Sequence, residues 1–306
     1  MAASALLFAG MNSFARLANQ SASWASVGAV RAFVGAFVAF SVARARGRSL
    51  GAHNRSVVFW RSLFGTASML CTFYALSSKT LTLGDTVTLT NLTPVFLALL
   101  APIFLGERTT WGVAIAIALA LAGVVLVLHP AVFFGGPTIV ARGLVASGPS
   151  ARATAIAAVL SSFLASIAMM MLRRAGKTES PEAIAFQFSL FAGVVHTLVA
   201  TLDPHAPSLR DALFMVLAGV CAGFAQIAMT HAYALESAAR VGAMGYLAVV
   251  ASALIGAAIL RERPAPIALL GTAFVIASGL LITFVRGDNS APRVRKDRKP
   301  RFAIRR

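Results

Sequence analysis

The chain has 306 residues, of which 58% are hydrophobic and only 12% charged, against roughly 25% charge in a soluble domain. Its mean hydropathy is +0.81, so composition excludes a disordered chain and argues against a soluble globular enzyme. The formal net charge of +17, from 27 Lys+Arg against 10 Asp+Glu, fits a nucleic-acid binder when taken alone, so the placement of the charges decides between readings.

A helix crosses a bilayer with about 20 mostly apolar residues. Ten such runs are readable in chain order, at 2–18, 24–43, 56–77, 83–105, 110–129, 153–173, 182–202, 210–233, 240–260 and 265–285. The first is short for a membrane helix, which leaves open a start further upstream. The breaks are Asn19-Gln20-Ser21, the basic loop Arg44 to Arg55, Lys79, Gly106-Glu107-Arg108, a linker from Pro130 to Arg152, and Asp203-Pro204-His205-Ala206-Pro207. Cys71 and Cys221 lie inside apolar runs and offer neither a disulfide framework nor metal spacing. The start has no basic n-region and no cleavage site leading into a soluble body, so it does not read as a secretory signal.

The linker separates five spans from five spans, and the halves echo each other. Phe73-Tyr74-Ala75-Leu76, an apolar span and Leu105-Gly106-Glu107-Arg108 in the first half correspond to Ala232-Tyr233-Ala234-Leu235, an apolar span and Leu260-Arg261-Glu262-Arg263 in the second. Each Glu-Arg pair precedes one more apolar span with an internal glycine, Gly123 or Gly279. An odd number of spans per copy forces the second copy to enter the membrane upside down, the inverted-repeat plan of secondary transporters. The expected fold is an all-α integral membrane protein of ten transmembrane helices. The expected divisions are a first repeat at 1–130, a linker at 131–152, a second repeat at 153–286 and a basic cytoplasmic tail at 287–306.

With the N-terminus cytoplasmic, nineteen Lys+Arg fall on the inner side, counting Arg61 among the loop charges and nine residues from Arg286 onward. Seven fall outside, including Arg16, and Arg31 stands as the one cation well within a span. This bias follows the positive-inside rule with both termini cytoplasmic. The +17 therefore reads as a topology signal plus a tail that touches anionic lipid, with no nucleic-acid partner.

The Phe73-Tyr74-Ala75-Leu76 segment, the fourth-span pattern Leu92-Thr93-Pro94-Val95-Phe96 running into Phe104-Leu105-Gly106-Glu107-Arg108, and the partial echo ending at Leu260-Arg261-Glu262-Arg263 resemble the drug/metabolite transporter superfamily in its ten-helix EamA-type form. The second copy departs from the first, because Val249 and its neighbours replace the Thr-Pro pair. The resemblance implies a two-repeat basket with a central cavity and alternating access. It implies cargo such as amino acids, nucleotide-derived metabolites, vitamins or toxic compounds, often moved outward.

Polar side chains within spans are costly and usually face the bundle interior. In the fourth span Thr86, Thr90 and Thr93 share a stripe, and Thr88 and Asn91 share another. Thr90 and Asn91 are taken as substrate-binding candidates, against the alternative that the threonines bond their own i−4 carbonyls. Pro94 removes a donor from the carbonyl near Thr90 and is the hinge candidate, against a static kink. Arg31 lies seven residues past Trp24, about 10 Å along a helix. It either snorkels or attracts a carboxylate or phosphate of the substrate. Gln226 on the eighth span and Tyr246 on the ninth are further binding candidates, with Asn12, Tyr74 and Gln187 behind them. Gly219 and Gly223 form a small-xxx-small packing pair. His196 and His231 read as interface residues near span ends. All ten acids lie near span ends or in loops, Asp85 as a helix N-cap and Glu107 and Glu262 in loop salt bridges, so proton coupling is not supported.

No P-loop, HExxH, CxxC or Gly-x-Ser-x-Gly is present, so the reading has no catalytic residues, no metal and no cofactor. The expected function is a secondary transporter of the bacterial inner membrane. It would move a small polar or amphipathic metabolite, an amino acid or related compound, with export slightly favoured. The alternative is a non-transporting interaction or regulatory protein on the same fold. A third reading, a membrane-surface binder acting through its tail, makes residues 287–306 essential.

Overall fold

The computed structural model describes residues 1–78, 81–105, 111–134, 151–202, 207–235, 238–262 and 265–289. The Gly106-Glu107-Arg108 motif, linker residues 135–150, Asp203 to Ala206 and the tail from Ser290 onward lie outside the described residues. Eleven α-helices are described: α1 (Ala2–Ala18), α2 (Trp24–Ala45), α3 (Arg55–Leu76), α4 (Leu83–Thr90), α5 (Thr93–Leu105), α6 (Trp111–Phe134), α7 (Ala151–Ala175), α8 (Pro181–Ala200), α9 (Leu209–Leu235), α10 (Ala238–Ala258) and α11 (Pro266–Asn289).

Nine of the ten expected spans each correspond to one helix. The fourth, read as 83–105, is instead two helices, α4 and α5, broken at Asn91 and Leu92. The cause is local. Pro94 has no N–H to offer the Thr90 carbonyl, and its ring crowds that position. The Asn91 side-chain amide donates to the Val87 carbonyl at 2.8 Å, which closes the end of α4. The Leu92 carbonyl then accepts from the Val95 and Phe96 N–H groups at 2.9 and 3.1 Å, which starts α5.

Helix starts follow ordinary capping. Asn54 Oδ1 accepts from Val57 N–H, Thr82 Oγ1 from Asp85 N–H, and Ser180 Oγ from Ala183 N–H, with Pro181 in the first turn of α8. The expectation that Asp85 is the N-cap is corrected. Thr82 is the cap, and Asp85 stands three residues on, where a carboxylate favours the positive end of the helix.

The packing is inverted relative to a water-soluble protein. The interior is dominated by alanine, including Ala5, Ala9, Ala15, Ala18, Ala32 and Ala36, all under 5% exposed, while Phe37, Leu121, Leu198, Leu213 and Leu254 point outward at 57% or more. Exposed apolar surface on this scale is unsustainable in water. In a bilayer it faces lipid, while small residues let the backbones approach. Among the described residues the stretches Trp24–Ala45, Arg152–Ala175, Pro181–Ala200 and Leu209–Leu235 are long and apolar enough to cross a membrane by length and composition.

The principal helix pairs are α6 with α11, α2 with α8, α3 with α7, α1 with α9, α2 with α9, α3 with α8, α1 with α10, and α4 with α10. Several crossings depend on glycine, two of them as follows. A Cβ on Gly219 or Gly223 would come within 2.5 or 2.7 Å of Val34 or Val38 on α2, which places the small-xxx-small pair in the α2–α9 seam. Gly123 and Gly271 meet where α6 crosses α11, and a Cβ on Gly271 would lie 2.6 Å from the Gly123 carbonyl oxygen.

Both ends of the bundle are tied by acids. At the end remote from the N-terminus, Arg16 donates to the Leu76 and Leu81 carbonyls at 2.9 and 2.6 Å and pairs with Glu262 at 3.2 Å. The other Glu262 oxygen accepts from Leu83 N–H at 2.5 Å. Glu262 therefore does form a salt bridge, but with an arginine 246 positions away rather than a loop neighbour. At the opposite end Glu182 pairs with Arg46 at 2.8 Å. Nearby, Glu179 accepts from the His53 and Asn54 N–H groups at 2.9 and 2.6 Å.

Burial alone would raise the Glu179 carboxyl, but these backbone donors, with the Thr178 hydroxyl and the His53 charge, outweigh it and hold the group below its ordinary value. A depressed folded-state value stabilises the fold above the unfolded value of about 4.3 and loses that contribution as pH falls through the folded value. Thermal unfolding in detergent from pH 6 to pH 3 should show a steeper acid loss in the wild type than in Glu179→Gln. Parallel curves would remove the assignment.

Candidate functional site

A cavity of about 240 Å³ lies inside the bundle, room for several water molecules or a small metabolite. Its wall runs from Met1 and Tyr233 at the N-terminal end of the bundle to Asn12 and Thr72 deeper in, and it draws on α1 to α5 and on α7 to α10. The Arg16–Glu262 tie lies at the far end of α1, so the cavity runs from the N-terminal end past mid-depth, to Arg31, Thr72 and Phe73, and stops short of that tie.

Six of the nine residues singled out from the sequence come together here: Asn12, Arg31, Thr90, Asn91, Pro94 and Gln226 all line the cavity. Three do not, each for a reason of helix register. Tyr74 stands edge-on to Trp24, with ring centroids 5.7 Å apart, and its neighbour Phe73 lines the cavity instead. The Gln187 amide donates to the Leu50 carbonyl at 2.9 Å, and Phe188 takes the lining position. Tyr246 is 4% exposed and its ring packs against Gly279, while Gly245 faces the cavity. Successive residues on a helix are about 100° apart, so a one-residue error exchanges wall for seam.

The hydroxyls of the fourth span are mostly engaged. Thr86 donates to the Thr82 carbonyl at 2.9 Å, Thr88 to Gly84 at 2.8 Å and Thr90 to Val87 at 3.1 Å. Of the three only Thr90 lines the cavity, where its oxygen can still accept from a ligand.

Arg61 is the largest departure from the sequence reading. It does not belong to the basic loop but lies inside α3, 2% exposed, and lines the cavity with Arg31, which is 5% exposed. Arg31 is therefore not the one cation within a span. Its Nη1 lies 3.1 Å from the Met69 sulfur. The Arg61 guanidinium lies 4.2 Å from the centroid of the Phe188 ring, a cation–π contact. Gly65, one turn on, makes the room, because a Cβ there would collide with Arg61 Nη1 and come within 2.9 Å of Phe188. The available signal was position, since Arg61 stands six residues into its helix, about 9 Å from the start. Five methionines, Met1, Met11, Met69, Met169 and Met229, complete an apolar, adaptable wall.

His196 lies outside the lining. It is fully buried, its Nδ1 is 2.9 Å from the Ala192 carbonyl, and its ring stands edge-on to Phe73. His231 lies 3.3 Å from Arg46 and 3.8 Å from Glu182 at the bundle end.

If the α4–α5 break is a hinge, Pro94→Ala should restore a donor to the Thr90 carbonyl and slow turnover several-fold. An unchanged rate would leave the break as a static kink.

The sequence pattern of the EamA-like transporter family matches residues 1–129 and 152–284. Solute carrier family 35 member G1 of the mouse is 28% identical over 177 residues, which is 56% of this chain and 46% of the mouse protein. The chain thus covers less than half the length of that curated relative. A solved protein crystal structure of 19% identity superposes with a TM-score of 0.66 over 94% of this chain and 96% of its own, which is a likeness of fold.

Proposed function

The chain belongs to the EamA-like transporter family, a membrane transporter family within the drug/metabolite superfamily, and we propose that it moves a small polar or amphipathic metabolite by alternating access. The single observation that carries this reading is the cavity itself, walled by both halves of the chain and lined by the polar residues named above. The helix pairings support two inverted five-helix repeats. Exchanging α1, α2, α3, α4–α5 and α6 with α7, α8, α9, α10 and α11 turns α1–α9 into α7–α3, α2–α9 into α8–α3 and α1–α10 into α7–α4/α5, and leaves α2–α8, α4–α10 and α6–α11 as themselves. The repeats are proposed at 1–130 and 153–286, joined by the linker 131–152, with residues 287–306 as a basic tail on anionic lipid.

Charge placement supports cytoplasmic termini. In that orientation the cavity runs from the inner end past mid-depth, and Arg16 and Glu262 close the outside. A bacterial inner membrane and export are the working assignments. Midplane sites between inverted halves suit rocking of one half against the other.

Purified protein in liposomes preloaded with unlabelled solute should accumulate the labelled solute transiently and saturably. The solute is chosen by thermal stabilisation of the protein with metabolite pools, because ligands that bind the native state raise its stability. Ligand binding without counterflow would favour the regulatory reading.

A further inference from the structure

We infer that the cavity selects net organic anions with an apolar body, held jointly by Arg31 and Arg61, and discriminates against zwitterionic amino acids. The inference rests on the carrier reading for its setting.

Four observations carry it. Two guanidiniums, 95% and 98% withdrawn from solvent, line one small cavity. No Asp or Glu is among the described residues that line it. The ion pairs identified among the described residues lie at the bundle ends, at Arg16–Glu262 and Arg46–Glu182. The unpartnered buried nitrogens among the lining residues are Arg31 Nε, Arg61 Nε and Gln226 Nε2, so the unmet demand is for acceptors.

Burying two cations in the wall of one small cavity is costly unless opposite charge is supplied. A planar guanidinium matches a carboxylate or phosphate through paired N–H donors. An amino acid would bring its ammonium into the same space, with no carboxylate among the described wall residues to receive it. The apolar part of the ligand has the Phe188 ring and the Met69 thioether as neighbours. Gly65 keeps the Arg61 head in place, since any side chain there displaces it. Arg61 is thus a specificity residue, buried within α3 rather than exposed in the basic loop.

The test uses four probes that share a phenyl body: phenylsuccinate, 3-phenylpropionate, L-phenylalanine and phenethylamine. Binding is read as thermal stabilisation and titration calorimetry on the purified full chain, so it does not depend on transport. The expected order is phenylsuccinate above 3-phenylpropionate, with phenylalanine and phenethylamine at least tenfold weaker. Arg31→Gln and Arg61→Gln should each weaken the acids by about tenfold to a hundredfold, as for loss of a charged hydrogen bond. The dianion should suffer most, and Arg61→Lys should recover part of the loss.

Phenylalanine equal to or tighter than the acids overturns the proposal, as does binding of none of the four. The wild-type order stands as evidence even if a glutamine variant fails to fold. Acid binding without counterflow leaves the selectivity intact and rejects the carrier reading. Counterflow of phenylalanine in preference to the acids does the reverse.

Discussion

Replacing Glu262 with alanine should unlatch the end of the bundle remote from the N-terminus. The substitution removes the 3.2 Å pair with Arg16 and the acceptor for Leu83 N–H together. Both side chains are mostly buried, at 12% and 17% exposure, so the loss should be on the order of 3 kcal/mol, as when one partner of a buried pair is removed. Arg16 keeps the Leu76 and Leu81 carbonyls, so the protein should still fold. The closed state should lose population, with transport reduced at least tenfold and the cavity more accessible from that end. Arg16→Ala should act in the same direction, and the double variant should fall well short of additive. Full additivity, or wild-type accessibility in Glu262→Ala, would mean that the pair does not hold the closure.

The second large effect is expected at the α6–α11 crossing. Gly271→Val would place a Cβ 2.6 Å from the Gly123 carbonyl oxygen and 2.8 Å from the Val127 nitrogen. Backbone cannot swing aside as a side chain can, so the helices must separate. Overpacking costs about 1–3 kcal/mol where side chains can yield, and this site should exceed that range. Size-exclusion chromatography in mild detergent should show loss of monodisperse protein for Gly271→Val and a milder loss for Gly271→Ala. Gly51→Ala, where the nearest atom is Ser49 Oγ at 3.5 Å, should behave as wild type. If Gly271→Val remained monodisperse with an unchanged melting temperature, the crossing would not be packed as described.

The limits of the helices are legible because apolar length is a strong signal, and the α4–α5 break falls beside the one proline expected to cause it. The face each helix turns inward was much less legible. In water, amphipathic periodicity marks the buried face. Here α2 and α6 are apolar almost all round, and the large residues Phe33, Phe37 and Phe40 lie on the lipid side of α2 rather than inside. Polarity is therefore a poor guide to the wall within neighbouring pairs: Tyr74, Gln187 and Tyr246 lie off it, while Phe73, Phe188 and Gly245 form it.

Arg61 was misplaced for a related reason. An arginine near a span boundary looks like a loop charge, and only the neighbouring Gly65 and the distant Phe188 give it a buried seat. The Arg16–Glu262 tie joins residues 246 apart, a pairing that spacing along the chain does not encode.

Alternating access of one cavity is the central claim, and cysteine accessibility tests it most directly. Thr90→Cys, in a chain with Cys71 and Cys221 changed to serine, places a thiol on the cavity wall. In sealed vesicles of either orientation, a membrane-impermeant maleimide should label this thiol from both faces. Cross-linking Arg16→Cys to Glu262→Cys before the assay should block labelling from the face that carries those residues and leave the opposite face unaffected. Labelling from a single face under all conditions, or from both faces despite the cross-link, would contradict the account.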